Sequence, residues 1–66
     1  MNIILNGEDT IVAEGTTVTA ILEERKTDPK TVVVEADGEI LKPEEFETTV
    51  LKEGSVLEVL RFVGGG

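Results

Sequence analysis

The 66-residue chain contains no cysteine, histidine, tryptophan or tyrosine. Without cysteine it has no disulfide and no thiol nucleophile, and without histidine it lacks the side chain that most readily exchanges protons at neutral pH. The Cys/His sets that hold zinc are excluded for the same reason. Several of the commonest catalytic chemistries are therefore closed to this chain, and its function rests on other groups.

Positive charge is also scarce, because 6 lysines and arginines stand against 14 aspartates and glutamates, a formal net charge of −8. This excess repels nucleic-acid phosphates and favours a basic protein partner. No apolar run approaches the length of a membrane span, and the first residues, M-N-I-I-L-N-G, lack the features of a signal peptide. We expect a cytoplasmic domain, monomeric when alone, that binds neither nucleic acid nor membrane.

The acidic residues include three adjacent pairs, Glu8–Asp9, Glu23–Glu24 and Glu44–Glu45. Carboxylate pairs can hold a hard cation, but none of these has the spacing of a calcium loop. The threonine pairs have no base beside them to activate a hydroxyl. We therefore expect a solvated acidic surface, no metal site, no catalytic residue and no enzymatic activity.

Short apolar segments separated by turn residues predict the element order β-β-α-β-β-β. The strands are predicted at residues 1–6, 10–13, from 31, 40–41 and 56–63, with turns at 7–9, 37–38 and 53–54. Thr16 or Thr17 is predicted to cap a helix that ends near Thr27, because Asp28 precedes a proline. The segment K-P-E-E-F is predicted to form one further helical turn.

The predicted helix has one apolar stripe, Val18, Ile21 and Leu22, which it buries by packing on one face of the sheet. The crossover through the helix allows the first and last strands to pair in parallel. This is an α+β, β-grasp (ubiquitin-like) fold with a mixed sheet on one helix, a single domain over 1–66 in which 63–66 form a flexible tail. The predicted core comprises Ile3, Leu5, Val18, Ile21, Leu22, Val33, Leu57 and Val59.

The last strand carries a second apolar face. Glu58 belongs in water and so marks the outer face, which Leu60 and Phe62 share by alternation. An exposed apolar pair of this kind predicts a docking patch for a partner. The alternative is that Phe62 folds against a neighbouring loop.

The chain ends in three glycines, Gly64, Gly65 and Gly66. Glycines are common at disordered chain ends and in remnants of cloning. The other interpretation is chemical. An α-carboxylate is ionised and unreactive in neutral water, but an enzyme that joined it to AMP would make it an acceptor for a nucleophile. Residues without a Cβ suit a narrow tunnel in such an enzyme, so Gly64 and Gly65 are candidate recognition residues and Gly66 the candidate modified residue.

Several stretches carry a family resemblance: N-G-E, E-G-T-T-V-T-A-I-L-E-E, V-V-V-E-A-D-G-E-I-L-K-P-E-E-F and, most specifically, L-K-E-G-S-V-L-E-V-L-R-F-V-G-G-G. Through them the chain resembles the ThiS family of sulfur carriers over its whole length. Two turn positions depart from the family pattern, since Asp37 stands where Asn is frequent and Ser55 where Asp is frequent. Neither departure touches the chemistry of the tail.

The resemblance implies that a ThiF-like adenylyltransferase uses ATP to adenylate Gly66. Sulfur from a persulfide donor then replaces AMP, and the resulting thiocarboxylate serves thiazole synthase, ThiG, in thiamin biosynthesis. The chain would be a carrier substrate that binds no cofactor itself. The alternatives are a MoaD-like carrier for molybdopterin synthesis, which is usually longer, a protein-tagging modifier, and a non-catalytic β-grasp interaction domain with an inert tail.

Overall fold

The computed structural model describes residues 1–62. The flexible tail predicted at 63–66 lies outside the described residues. The described part contains five strands, one α-helix and two 3₁₀ turns. They are β1 (Asn2–Leu5), β2 (Glu8–Ile11), α1 (Val18–Glu24), a 3₁₀ turn (Pro29–Thr31), β3 (Val32–Ala36), β4 (Glu39–Leu41), a second 3₁₀ turn (Pro43–Glu45) and β5 (Val56–Arg61).

The strands form one sheet in the order β2-β1-β5-β3-β4. β5 lies in the centre, parallel to β1 on one side and antiparallel to β3 on the other. β1 with β2 and β3 with β4 are antiparallel hairpins. The predicted mixed sheet, with its first and last strands as parallel neighbours, is confirmed, and so is the β-grasp order of elements.

The core lies between α1 and one face of the sheet. Its buried apolar residues are Ile3, Leu5, Val18, Ile21, Leu22, Val32, Val34, Phe46, Leu51 and Leu57, with Val59 half-buried against them. The prediction of Val33 as a core residue was wrong. Val33 pairs with Leu60 on the outer face, and Val32 and Val34 point inward instead. Three consecutive valines cannot reveal their own register, which the pairing with β5 sets.

The first hairpin turns at Asn6 and Gly7, not over 7–9 as predicted, so that β2 already begins at Glu8. Both turn residues have left-handed backbones, with φ of 50° at Asn6 and 81° at Gly7. Asn-Gly is the dipeptide that best tolerates this two-residue turn, which matches the twist of the flanking strands. The acidic residues Glu8 and Asp9 therefore lie in an edge strand.

The helix begins as predicted, since the Thr17 Oγ1 accepts a hydrogen bond from the Ala20 N–H at 3.1 Å. It ends at Glu24, earlier than the predicted Thr27, because Lys26 adopts a left-handed backbone with φ of 56°. The N–H of Lys26 then bonds to the Glu23 carbonyl at 3.0 Å and that of Thr27 to the Leu22 carbonyl at 2.8 Å. This pair of bonds closes a helix end without proline. Within residues 1–62, no helix has the length and apolar character needed to cross a membrane.

Candidate functional site

The strand that leads to the glycine tail is the central strand of the sheet. β5 is paired on both sides, with β1 and with β3. Beyond the strand, the Phe62 N–H donates to the Thr31 carbonyl at 2.8 Å. The backbone is thus hydrogen-bonded to its neighbours as far as residue 62, four residues before Gly66.

Two hairpin turns add side-chain bonds to the same strand. β1 reaches only to the pairing of Leu5 with Leu57, so the Val59 N–H lies beyond its end and donates to Asn6 Oδ1 at 2.8 Å. At the start of β5, the Val56 N–H donates to Asp37 Oδ1 at 2.9 Å. Asn6 and Asp37 both hold left-handed backbones, so each turn residue serves its own hairpin and β5 at once.

The outer face near the end of β5 is apolar and open. Leu60 is 51% exposed and Phe62 59% exposed, with Val33 opposite Leu60 on β3. The alternative in which Phe62 packs into a loop does not match this exposure. The structure therefore places both residues of the predicted docking patch on the surface, while their role in docking stays a prediction.

The inner face of β5 ends in a different way. Along it Leu57 is buried, Val59 is half-buried and Arg61, the next residue of the same face, is exposed. Arg61 lines a cavity of about 270 Å³ together with Arg25, which caps the C-terminal end of α1. Sequence reasoning missed this cavity, although the alternation that placed Leu60 outside also places Arg61 on the helix side.

The remaining predicted site residues divide into two groups. Gly64, Gly65 and Gly66 lie outside the described residues, and their roles stay predictions. The acidic pairs are all on the surface, where Glu45 has a local structural role, because its Oε1 accepts the Lys42 N–H at 2.7 Å. Over residues 1–62, no three acidic side chains come together in a way that would hold a metal ion.

Comparisons with known proteins agree on one family. The model of the ThiS family matches residues 3–66. The sulfur carrier protein ThiS of Bacillus subtilis is 35% identical over 63 residues, which cover 94% of this chain and 96% of that protein. A thiazole synthase of Paramagnetospirillum magneticum is 33% identical over the whole of this chain, which spans only 20% of that longer protein.

Solved structures give the same result. The crystal structure of the thiamine biosynthesis protein ThiS from Geobacter metallireducens superposes with a TM-score of 0.85 at 40% identity, and the match covers 100% of both chains. The solution structure of a thiamine biosynthesis protein from the same organism gives a TM-score of 0.81 at 40% identity, covering 100% of this chain and 88% of that one.

Proposed function

This chain belongs to the ThiS family and is a sulfur carrier of thiamin biosynthesis, and from that premise we propose that Gly66 carries the sulfur as a C-terminal thiocarboxylate. The observation that best supports the proposal is the placement of β5. The strand that bears the glycines is the central strand of the sheet, and it is hydrogen-bonded as far as Phe62. The folded domain thus fixes the position from which the last four residues start.

The proposed chemistry has two stages. A carboxylate oxygen of Gly66 attacks the α-phosphorus of ATP, pyrophosphate leaves, and an acyl adenylate forms. The terminal sulfur of a persulfide then attacks the acyl carbon and AMP leaves. A thiol reduces the resulting acyl disulfide, which releases the thiocarboxylate on Gly66 and forms a disulfide with the donor.

Both stages need the carboxylate to enter another protein's site. Four residues beyond Phe62 span at most about 13–14 Å when extended. Glycines at positions 64–66 keep such a segment narrow, since they have no Cβ to meet the walls of a tunnel. Leu60 and Phe62 lie at the base of the segment, where an apolar patch would dock against the rim of the same site.

The proposed partners follow from this chemistry and from the comparisons. A ThiF-like adenylyltransferase would consume the ATP, a persulfide protein would supply sulfur, and thiazole synthase, ThiG, would accept it. The thiazole synthase that contains a segment similar to this chain supports the last assignment, because one polypeptide there combines a carrier-like segment with a protein of that name. We propose that the carrier itself binds no cofactor and catalyses no step, and that it acts in the cytoplasm.

The test is a reconstitution followed by intact mass. The chain is incubated with ATP, a ThiF-like enzyme and a persulfide donor, and we expect a mass gain that corresponds to one oxygen replaced by sulfur. Fragmentation should place the change on Gly66. A mass that stays constant, or conjugates in which Gly66 is joined to lysine amines, would overturn the sulfur-carrier chemistry.

Two tail variants serve as matched controls. Deletion of Gly66 leaves a glycine carboxylate that is one residue, about 3.3–3.6 Å, short, and Gly65→Val keeps the length but adds bulk. A misplacement of about 1 Å can cost a hundredfold in rate. Both variants should therefore stay folded and gain sulfur at least about tenfold more slowly. Parent-like rates in both would show that the reaction does not depend on the length or the width of the tail.

A further inference from the structure

The helix side of the tail-bearing strand holds the only two arginines of the chain. Arg25 comes from the end of α1 and Arg61 from the end of β5, yet both line the cavity of about 270 Å³. The chain has 14 acidic residues, and among residues 1–62 none of them lines this cavity. A strongly acidic molecule therefore presents a cationic recess next to the point where its tail begins.

The recess has apolar side chains in its wall besides the two arginines. Leu5, Leu22 and Val32 are buried residues that line it, and Val59 is half-buried beside them. Both arginines are exposed, so the recess opens to solvent. A partner that covers it would exclude water and thereby strengthen the attraction between a charge held there and the guanidinium groups. Within residues 1–62, no side-chain hydrogen bond has an arginine as its donor. Among the residues that the structure describes, neither guanidinium group therefore has a hydrogen-bond acceptor.

The size of the recess limits what it holds. Pockets for drug-sized or cofactor-sized ligands usually have volumes of about 300–1,000 Å³, and this cavity is smaller at about 270 Å³. It fits one carboxylate side chain better than a nucleotide. Guanidinium groups bind carboxylates through two parallel hydrogen bonds, which adds geometric selectivity to the charge.

We propose that the Arg25–Arg61 recess receives an aspartate or glutamate side chain of the protein that encloses the tail. This proposal rests on the proposed function for the existence of such a protein, which we take as the ThiF-like adenylyltransferase. Leu60 and Phe62 are exposed on the opposite face of the same strand end. The partner would therefore contact both faces of the end of β5. One contact is apolar and the other is ionic.

The first experiment compares four forms of the carrier by their affinity for the adenylyltransferase. They are the parent chain, Arg25→Gln, Arg61→Gln and Lys52→Gln. Lys52→Gln is the matched control, because it also removes one positive charge but lies before the start of β5, away from the recess. We expect each arginine variant to bind at least about tenfold more weakly and the control to change by less than about twofold. Equal affinity in all variants would overturn the proposal.

The second experiment identifies the occupant directly. Arg61→Lys keeps the positive charge and provides an amine that carbodiimide joins to a carboxylate in contact with it. We expect a new cross-link from position 61 to one partner aspartate or glutamate, absent from the parent. This variant also keeps the proposal falsifiable if Arg61→Gln fails to fold. Cross-linking from position 61 that does not differ from the parent would count against a partner carboxylate.

Inorganic phosphate separates a protein carboxylate from a small anion. Amide signals around the recess are followed by NMR while phosphate is added to the parent chain, with chloride at equal ionic strength as the reference. If phosphate causes no saturable shift, the result supports a protein carboxylate as the occupant. If phosphate causes a saturable shift and also displaces the partner, the result overturns the proposal in favour of a phosphate site.

Failure of this proposal can be distinguished from failure of the sulfur-carrier chemistry. If the parent gains sulfur but Arg25→Gln and Arg61→Gln bind as the control does, the recess has no such role and the carrier chemistry stands. If the parent gains no sulfur while the arginine variants still lose binding selectively, the carrier chemistry fails and the recess proposal stands.

Discussion

At the scale of single residues, Asn6 combines two roles in one position. Its backbone is left-handed, with φ of 50°, and its Oδ1 accepts the Val59 N–H at 2.8 Å. A left-handed backbone costs most residues with a Cβ about 1–2 kcal/mol, a penalty that asparagine largely avoids, and a hydrogen bond contributes about 1 kcal/mol net. Substitutions at this position can separate the two contributions.

We expect Asn6→Gly to lower the free energy of unfolding by about 1 kcal/mol, because it removes the acceptor while glycine, like asparagine, tolerates the left-handed backbone. Asn6→Ala should cost about 2–3 kcal/mol, since it loses the acceptor and also pays the penalty of the left-handed backbone. Asn6→Asp, which keeps an acceptor, is the matched control. Urea denaturation measures all three, and equal losses for Gly and Ala would show that the backbone conformation contributes nothing.

At the scale of elements, the α1 stripe is where packing matters most. Leu22 is only 2% exposed against the sheet. Leu22→Ala should lower the free energy of unfolding by about 2–5 kcal/mol, a large share of the roughly 3–10 kcal/mol expected for a 66-residue domain. Leu60→Ala, at 51% exposure, makes the same chemical change on the surface and should cost under about 0.5 kcal/mol. A loss at Leu22 below the stated range in urea denaturation would contradict its place in the core.

The outer face of β5 allows a separate test of docking. Leu60→Asp adds a charge to an exposed position, so the domain should stay folded while its affinity for the adenylyltransferase falls at least about tenfold. Ile40→Asp is the control, because Ile40 is 69% exposed on β4 of the same sheet, two strands from β5. Circular dichroism tests whether each variant is folded, and binding measurements give its affinity for the adenylyltransferase. An unfolded Leu60→Asp, or equal losses in both variants, would argue against the patch.

The sequence predicted element types well and element ends less well. Thr17 and Asp37–Gly38 act through local chemistry, a hydroxyl cap and a two-residue turn, which the sequence shows directly. The helix end depends on the left-handed backbone of Lys26, a conformation that is uncommon for lysine and so is not predicted from its presence in the sequence. The inward face of β3 depends on its pairing with β5. Local signals were therefore readable, and long-range register was not.

At the scale of the whole molecule, the site was predictable only on one side. Alternation along β5 placed Leu60 and Phe62 on the outer face, where they lie. The recess on the other side brings Arg25 next to Arg61, 36 residues later in the sequence. No short-range pattern joins those positions, because the helix-to-sheet packing creates their proximity. Net charge pointed to a basic partner, while the local geometry adds one acidic contact at the strand end.

The net charge of −8 yields the last prediction, which concerns encounter rather than the bound state. A basic partner attracts such a molecule over long distances, and salt screens that attraction. Rates measured by stopped flow should show association with the adenylyltransferase slowing severalfold between low and high ionic strength, while dissociation changes little. The double variant Glu44→Gln and Glu47→Gln, which alters exposed residues and reduces the charge from −8 to −6, should associate more slowly at low salt and converge with the parent at high salt. Association that speeds up with salt, or in this variant, would show that the partner's surface is acidic overall and that attraction is confined to the arginine recess.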